Sequence, residues 1–226
     1  MTARLMKNTI RSEAKSHPGP PGKIKIVDAL KKLLEEKDFN SITTAEIAKT
    51  ARVNEALIYR YFKDKRGLLH HILAEGMKDS ENKINADLKA IKGSFHKLRK
   101  LIWDSIHYYD QHRVFAKILL LEVRNFPGYF ESETYQLAKR YSRIILDIIK
   151  EGVANGEIRD DIPAAHIRNL IIGGIEHLCL PCVIFGREIP VDSLTDNLCG
   201  AIFEGIVNRQ PSNELKGGLN QLRVSR

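Results

Sequence analysis

Apolar residues recur at helical spacing along most of the chain. In the first such stretch they fall three or four positions apart, with Lys and Glu between them: Ile26, Val27, Leu30, Leu33 and Leu34. This spacing is the pattern of an amphipathic helix. No stretch shows the alternation of apolar and polar residues that a half-buried strand requires. The sequence therefore predicts an all-α fold.

Glycine and proline divide the later part of the chain into long helices, because both residues favour helix ends. Gly93 ends a helix that starts near Asp64, and Pro127 with Gly128 closes an apolar helix over 113–126. The remaining long helices are predicted over about 94–112, 132–154, 163–186 and 191–208.

Composition restricts the class of protein. Of 226 residues, 43% are hydrophobic and 28% are charged, which is typical of a soluble globular protein. We find no run of the ~20 apolar residues that a membrane-spanning helix needs, and the first 22 residues lack the apolar core of a secretory signal. Three cysteines, an odd and low count, favour a reducing compartment. We therefore expect a cytoplasmic protein with no membrane partner.

The positive charge is concentrated in the first third of the chain. Residues 1–75 hold 15 Lys and Arg against 9 Asp and Glu, whereas the remainder holds 21 against 19. A basic segment beside a near-neutral body is typical of a protein whose N-terminal part binds a polyanion such as nucleic acid. The alternative is a solvated basic face without a partner.

Two short helices are predicted between residues 42 and 65. Thr43 and Glu46 form a capping-box pattern, so a helix should start there. Residues 52–54 form a turn, Asn54 is a suitable N-cap for the next helix, and Asp64 caps the one after it. Two short helices joined by a three-residue turn form a helix-turn-helix, whose second helix enters the major groove of DNA.

The second short helix combines aromatic and basic residues in a way that DNA binding explains. Ile58 and Phe62 lie one helical turn apart and face inward, which leaves tyrosine hydroxyls and lysines for phosphate oxygens. The start of the first short helix also suits a phosphate. The predicted DNA contacts are Thr43, Thr44, Asn54, Glu55, Ala56, Tyr59, Arg60, Tyr61, Lys63 and Lys65.

These residues resemble the DNA-binding domain of TetR-family transcriptional repressors over about residues 24–70. Arg52 stands where a turn glycine is usual, Asn54 replaces the usual serine, and Glu55 replaces a more frequent Ser, Lys or Arg. Glu55 either accepts a hydrogen bond from cytosine or only stabilises the helix dipole. The shared pattern consists of Thr43, Thr44, Ile47, Ala48, Val53, Ile58, Tyr59, Tyr61, Phe62, Lys65 and Leu68.

The resemblance implies a homodimer that binds palindromic double-stranded DNA and is released by a small-molecule effector. The last two helices, about 163–186 and 191–208, are apolar around most of their circumference and therefore suit pairing. In TetR-like proteins the middle helices enclose the effector pocket. The candidate lining residues are Trp103, His107, Tyr108, Phe115, Arg124, Phe126, Tyr135 and His177.

Two segments point to the class of effector. LLLEVRNF and GGIEHLCLPCVIFG resemble the corresponding parts of fatty-acid-metabolism repressors of the family, which sense long-chain acyl-CoA. The resemblance implies that basic residues of the body meet the phosphates of such a ligand. The candidates are Arg113, Lys117, Arg124, Arg140 and Arg143.

A metal- or thiol-sensing regulator is the alternative. His177, Cys179 and Cys182 stand close together, with Cys199 beyond, and Pro181 could kink the helix that carries them. Buried cysteines that act as small apolar residues explain the same pattern. We assign no metal ligands and no cofactor.

An enzyme or a structural adaptor fits the sequence less well. The acidic residues of the body lie on separate predicted helices and form no nucleophile–base arrangement, so no catalytic residue is predicted. An adaptor would not need the tyrosine–lysine pattern. The predicted domains are a disordered basic arm over 1–22, a DNA-binding domain over 23–70, a ligand-binding and dimerisation domain over 71–209 and a flexible tail over 210–226.

Overall fold

The computed structural model describes residues 19–208, and most of the predicted arm and the whole predicted tail lie outside that range. Within it the chain forms nine α-helices and no strand, apart from an isolated bridge between Ile158 and Val207. The all-α prediction is confirmed. Helix α1 begins at Pro21, two positions before the predicted start of the DNA-binding domain at residue 23, because proline suits the first turn of a helix.

The N-terminal helices form a unit that we call the head. It consists of α1 (Pro21–Glu36), α2 (Thr44–Ala51), α3 (Ala56–Phe62) and the first part of α4 (Lys65–Leu88), with a 3-10 turn at Phe39–Ser41. Its core is built from side chains of all four helices. Among its fully buried members are Ile26, Leu30, Phe39, Ile42, Ile47, Ile58, Leu68 and Leu69.

Side-chain caps start the helices of the head where the sequence predicts them. Thr43 Oγ1 accepts a hydrogen bond from the amide of Glu46 at 3.1 Å. Asp64 Oδ1 accepts one from the amide of Gly67 at 2.7 Å. These bonds satisfy backbone donors that a helix start leaves free, and packing in the head core supplies the rest of the stability of these short helices.

Two backbone positions determine how the helices of the head pack against each other. Arg52 ends α2 in the left-handed conformation, with φ of 54°, although only glycine adopts it without strain. Gly67 brings α4 against α3 so closely that an added Cβ would lie 1.9 Å from the carbonyl oxygen of Phe62. Any side chain at position 67 would therefore push the two helices apart.

The body holds a second core. It consists of the rest of α4 and five further helices, in which α5 packs on α7, α8 and α9 and α7 packs on α8. Its buried residues include Leu98, Leu101, Ile102, Ile145, Ile149, Ile167 and Ile171. The five helices are α5 (Ser94–Gln111), α6 (Arg113–Lys117), α7 (Glu133–Ala154), α8 (Ala164–Phe185) and α9 (Val191–Ile206).

The prediction of one helix over 113–126 is wrong. Helix α6 ends at Lys117 and is followed by a π-helical turn at Ile118–Glu122 and 3-10 turns at Val123–Asn125 and Tyr129–Glu131. We call residues 118–131 the junction segment. Because the backbone of the junction segment is irregular, some of its side chains pack in the head core and others point to the body. A π-helical turn often marks a functional site.

Candidate DNA-binding head and ligand cavity

Helix α3 buries one face and exposes the other. Ile58 and Phe62 are buried in the head core, as predicted, and Tyr59 is 52% exposed. The predicted DNA contacts that are exposed are Thr43, Asn54, Ala56, Tyr59, Arg60 and Lys63, and those that are half-buried are Thr44, Glu55, Tyr61 and Lys65.

The start of α2 and the exposed face of α3 form one surface. The hydroxyls of Thr44 and Tyr59 lie 3.4 Å apart, which places a helix N-terminus and a phenol side by side. Asn54 Oδ1 accepts a hydrogen bond from the amide of Ala56 at 2.8 Å, so its side chain caps the start of α3. Free amides, hydroxyls and cations on one face are the groups that bind DNA phosphates.

Lys65 differs from the expectation that it contacts phosphate. Its ammonium group donates hydrogen bonds to the carbonyl oxygens of Phe39 at 2.8 Å and Ile42 at 2.6 Å, and it lies 4.4 Å from the centre of the Phe39 ring. Burial lowers the pKa of Lys65. The side chain holds the turn before α2 against the start of α4, and its donors are directed inward.

Two adjoining cavities lie between α4, α5, α7 and α8. The larger has a volume of about 580 Å³ and the smaller about 390 Å³. Side chains of α4, α5, α7 and the junction segment border both cavities. The shared lining consists of Met77, Ser105, Tyr109, Leu119 and Tyr141.

Half of the predicted pocket residues line these cavities. Arg124 and Tyr135 border the larger cavity, and His107 and Tyr108 border the smaller one. Burial raises the pKa of Tyr108 to about 12. Its phenol therefore remains a neutral hydrogen-bonding group at any physiological pH.

The other four predicted pocket residues lie away from both cavities. Trp103 stacks on the ring of His107 and donates a hydrogen bond from Nε1 to Asp192 at 2.8 Å. Phe115 and Phe126 pack against the head core. His177 is exposed on α8. An aromatic side chain on a middle helix is thus not enough to predict a lining position.

Sequence reasoning missed the polar wall that the two cavities share. Ser105 and Tyr109 lie one helical turn apart on α5, and the hydroxyls of Ser105 and Tyr141 lie 2.5 Å apart. Burial raises the pKa of Tyr141 to about 12 and also raises that of Tyr109. The spacing of four between Ser105 and Tyr109 on the amphipathic helix α5 was the available signal. These hydroxyls can hydrogen-bond an oxygen atom in the middle of a ligand.

The larger cavity is basic. The guanidinium of Arg124, in the junction segment, forms a two-fold hydrogen bond with the carboxylate of Glu176 on α8, with Nη1 to Oε2 at 3.0 Å. This bond raises the pKa of Arg124. Three further cations line the cavity, two on α7 and one on α8, and we call them the cationic pole: Lys139, Arg143 and Arg168.

The junction segment joins the cavity to the head. The ring of Phe126 lies 5.9 Å from that of Phe39 and 6.2 Å from that of His70, and the guanidinium of Arg66 lies 5.0 Å from its centre. His70 Nδ1 is 3.0 Å from the hydroxyl of Thr134, which lines the larger cavity. A ligand that displaces the cavity wall therefore acts on residues that touch α4.

The cysteines do not form a metal or thiol site among the described residues. Cys179 and Cys199 are buried and Cys182 is half-buried, and all three are free. Burial raises the pKa of Cys179 to about 12 and that of Cys199 to about 11, which disfavours the thiolate that metals and oxidants require. No group of three His, Cys, Asp or Glu residues within 19–208 has metal-binding geometry.

Helix α8 carries an uncovered apolar face. It is long and apolar enough to cross a membrane by length and composition, although no such helix was predicted from the sequence. It continues through Pro181 without ending. One side packs into the body core, and the opposite side exposes Leu170, Leu178, Ile184 and Phe185. Such two-sided packing is typical of a helix with a second protein partner.

Two family models match the chain. Residues 26–72 match the model described as bacterial regulatory proteins, tetR family, and residues 93–179 match the tetracyclin repressor-like C-terminal domain. The first match covers the helices of the head, and the second begins just before α5 and extends into α8. The two matches thus correspond to the two cores.

Curated relatives agree with the family models. The fatty acid metabolism regulator protein of Bacillus subtilis is 24% identical over 84% of this chain and 97% of its own length. The HTH-type transcriptional repressor NicS of Pseudomonas putida is 30% identical over 62% of this chain and 68% of its own length.

Solved structures show the same fold. FadR from Bacillus subtilis in complex with stearoyl-CoA superposes with a TM-score of 0.73 and 24% identity, covering 81% of this chain and 98% of that chain. FadR from Bacillus halodurans gives a TM-score of 0.74 and 20% identity, covering 85% and 100%. With both family models matched and a repressor related at 30% identity, the chain belongs to the tetR family of bacterial regulatory proteins and is a DNA-binding transcriptional regulator.

Proposed function

We propose that the protein is a cytoplasmic homodimeric repressor that binds a palindromic operator and is released when an acyl-CoA enters its cavities. The observation that carries the proposal is that one irregular segment borders both the cavity and the core of the DNA-binding head. The named ligand class is supported by two relatives, a fatty acid metabolism regulator and a structure with stearoyl-CoA.

On the DNA side, α3 is the recognition helix. Its start, with Glu55 and Ala56, meets base edges in the major groove, while Tyr59, Arg60 and Lys63 meet the phosphates on either side. Tyr59 and both cations are exposed, and within residues 19–208 no ion pair engages either cation. The start of α2 adds a further phosphate contact.

A second copy of the chain covers the exposed face of α8. The face runs along the helix from Leu170 to Phe185, and a Cβ added at Gly173, Gly200 or Gly205 would meet nothing within 4 Å. Small residues of α8 and α9 thus allow partner helices to approach closely. Pairing through these two helices places both heads on the same side of the dimer, as a palindrome requires.

The cavities suit an amphiphile with a long apolar chain and an anionic head. The cationic pole attracts phosphates, the shared hydroxyls of Ser105, Tyr109 and Tyr141 lie midway, and the smaller cavity continues beyond them. The ligand lowers DNA affinity only by the difference between its affinities for the two states of the dimer. Contacts that exist in one position of the junction segment and not in the other provide that difference.

Selection from random duplexes tests the proposal. The purified protein should enrich an inverted repeat whose half-sites lie one DNA turn or a multiple of it apart. Oleoyl-CoA should then release the protein from that duplex at micromolar concentration, whereas free coenzyme A should not. Absence of an enriched repeat at low salt would contradict DNA-specific binding, and retention with oleoyl-CoA would contradict the ligand class alone.

A further inference from the structure

The pair of Arg124 and Glu176 stands on the wall of the larger cavity. The carboxylate is largely buried and the guanidinium about half exposed, with side-chain exposures of 20% and 49%. The phenol of Tyr129 also contacts the guanidinium, and Tyr109 lies close enough to interact electrostatically with both charged groups. The cation of the junction segment is therefore already neutralised by a carboxylate of the protein itself.

The rest of the larger cavity lacks such neutralisation. Among its described lining residues Glu176 is the only carboxylate, against four cations. Lys139 lies 5.8 Å from the centre of the Tyr135 ring, and Arg168 donates to the side-chain oxygen of Asn169. No residue of the cationic pole has an ion-pair partner within 19–208. The cavity therefore offers a group of unpaired cations on α7 and α8 and one paired cation opposite.

We propose that Glu176 is a specificity-determining residue that excludes ligand carboxylates from Arg124, so that an ester with a polyanionic head is accepted and the free fatty acid is not. This inference rests on the proposed function, because it assumes that an acyl chain occupies the cavities. The head of the ligand then binds the cationic pole, and no anion of the ligand is needed at the junction segment.

Electrostatics supports this discrimination. A free carboxylate at Arg124 would displace Glu176 and leave that largely buried carboxylate without its cation, which is unfavourable. A single carboxylate at the cationic pole would neutralise one of three cations, whereas a head with several phosphates neutralises more of them. Because Arg124 is half exposed, solvent weakens each interaction, and the discrimination is a matter of fold-changes in affinity.

The variant Glu176→Gln tests the inference by gain of function. It keeps the shape of the side chain and a hydrogen-bond acceptor but frees the charge of Arg124 for a ligand carboxylate. The readouts are the concentrations of oleate and of oleoyl-CoA, both below micelle formation, that bind the protein in calorimetry and release it from DNA. In Glu176→Gln we expect the ratio of the effective oleate concentration to the effective oleoyl-CoA concentration to fall by roughly fivefold.

The chain offers a matched control. Arg159 and Asp161 form a similar two-fold pair, with side-chain exposures of 41% and 61%, and neither residue lines a cavity. Asp161→Asn therefore frees a guanidinium that a ligand in the cavities cannot reach, and it should leave the oleate to oleoyl-CoA ratio at the wild-type value. The double variant Arg124→Gln, Glu176→Gln should lose the gained response, since no freed cation remains.

The outcomes separate the inference from the proposed function. If oleoyl-CoA neither binds nor releases the wild-type protein, the ligand class of the proposed function is overturned and the inference with it. If oleoyl-CoA acts on the wild type, the inference alone is overturned by equal potency of oleate and oleoyl-CoA on the wild type, by an unchanged ratio in Glu176→Gln, or by an equal shift in Asp161→Asn. Circular dichroism and thermal unfolding establish that each variant is folded.

Discussion

The head and the body differ in how their polar side chains are paired. In the head, Lys65 donates to two backbone carbonyls and the hydroxyl of Thr43 caps a helix, so these groups are satisfied by the protein itself. In the body, the cations Lys139, Arg143 and Arg168 line the larger cavity and have no ion-pair partner among residues 19–208. A core whose polar groups are internally paired is rigid, whereas polar groups that face a cavity are available to a ligand. One chain thus combines a rigid DNA-binding head with a body whose polar groups are free to bind a ligand.

Substituting Gly67 tests the rigidity of the head with the largest expected effect. Gly67→Ala places a Cβ 1.9 Å from a carbonyl oxygen of α3, so we expect a loss of about 3 kcal/mol in the free energy of unfolding. Denaturant unfolding measures it. Gly19→Ala is the control, because its Cβ would meet the nearest atom at an ordinary 3.6 Å. An equal stability of the two variants would contradict the close approach of α3 and α4.

Substituting Lys65 and Lys63 separates structural from DNA-contacting cations. Lys65→Met leaves two backbone carbonyls without their donor, which should cost about 1–3 kcal/mol of stability. The salt dependence of DNA binding should remain. Lys63→Ala should do the opposite: stability should stay within about 0.5 kcal/mol, and the slope of log K against log salt should fall by about 1. A reduced salt slope in Lys65→Met, with normal stability, would instead identify Lys65 as a contact to DNA phosphates.

Substituting Phe126 tests the connection between the two regions. Because its ring lies against Phe39 and His70 and lines neither cavity, Phe126→Ala should leave oleoyl-CoA affinity unchanged. The coupling free energy between ligand and DNA should fall by about 0.5–2 kcal/mol. Phe130→Ala is the contrasting variant, since Phe130 borders the larger cavity and should change ligand affinity first. A normal coupling free energy in Phe126→Ala would show that the coupling between ligand binding and DNA binding does not depend on Phe126.

A pH titration gives the smallest expected effect. Burial lowers the pKa of His70 from its usual 6.5, and the same cause lowers those of His71 and His112. Below pH 6.5 the unfolded chain therefore binds more protons at these histidines than the folded protein does. The free energy of unfolding falls as the pH drops further. Unfolding at pH 7.5 and 5.5 measures the change. His70→Gln should reduce it, and an increase in stability on acidification would contradict the burial of these rings.

The local features of the head were predictable because their partners are near in sequence. Thr43, Asn54 and Asp64 each cap a helix through an amide two or three residues away. Lys65 was not predictable in the same way, since the carbonyls that it contacts lie 26 and 23 residues away. The pattern identified the residue as important and gave no information on where its ammonium group points.

The cavity was predicted only in part because lining depends on how helices pack. Trp103 and Tyr108 lie on the same helix and are both large aromatics, yet only Tyr108 borders a cavity. Phe126 was assigned to the pocket, but the break of the helix after Lys117 directs its ring to the head. Composition does not distinguish these positions, whereas the register of α5 and the irregular junction segment do.

The uncovered face of α8 has a genetic consequence. Because the two cores are separate, a chain whose head is defective keeps the apolar residues from Leu170 to Phe185 intact. In the dimer proposed above, such a chain would still pair with the normal chain and give mixed dimers with one working head. Because the proposed palindrome needs two heads, random pairing with an equal amount of the defective chain would inactivate about half of the normal chains.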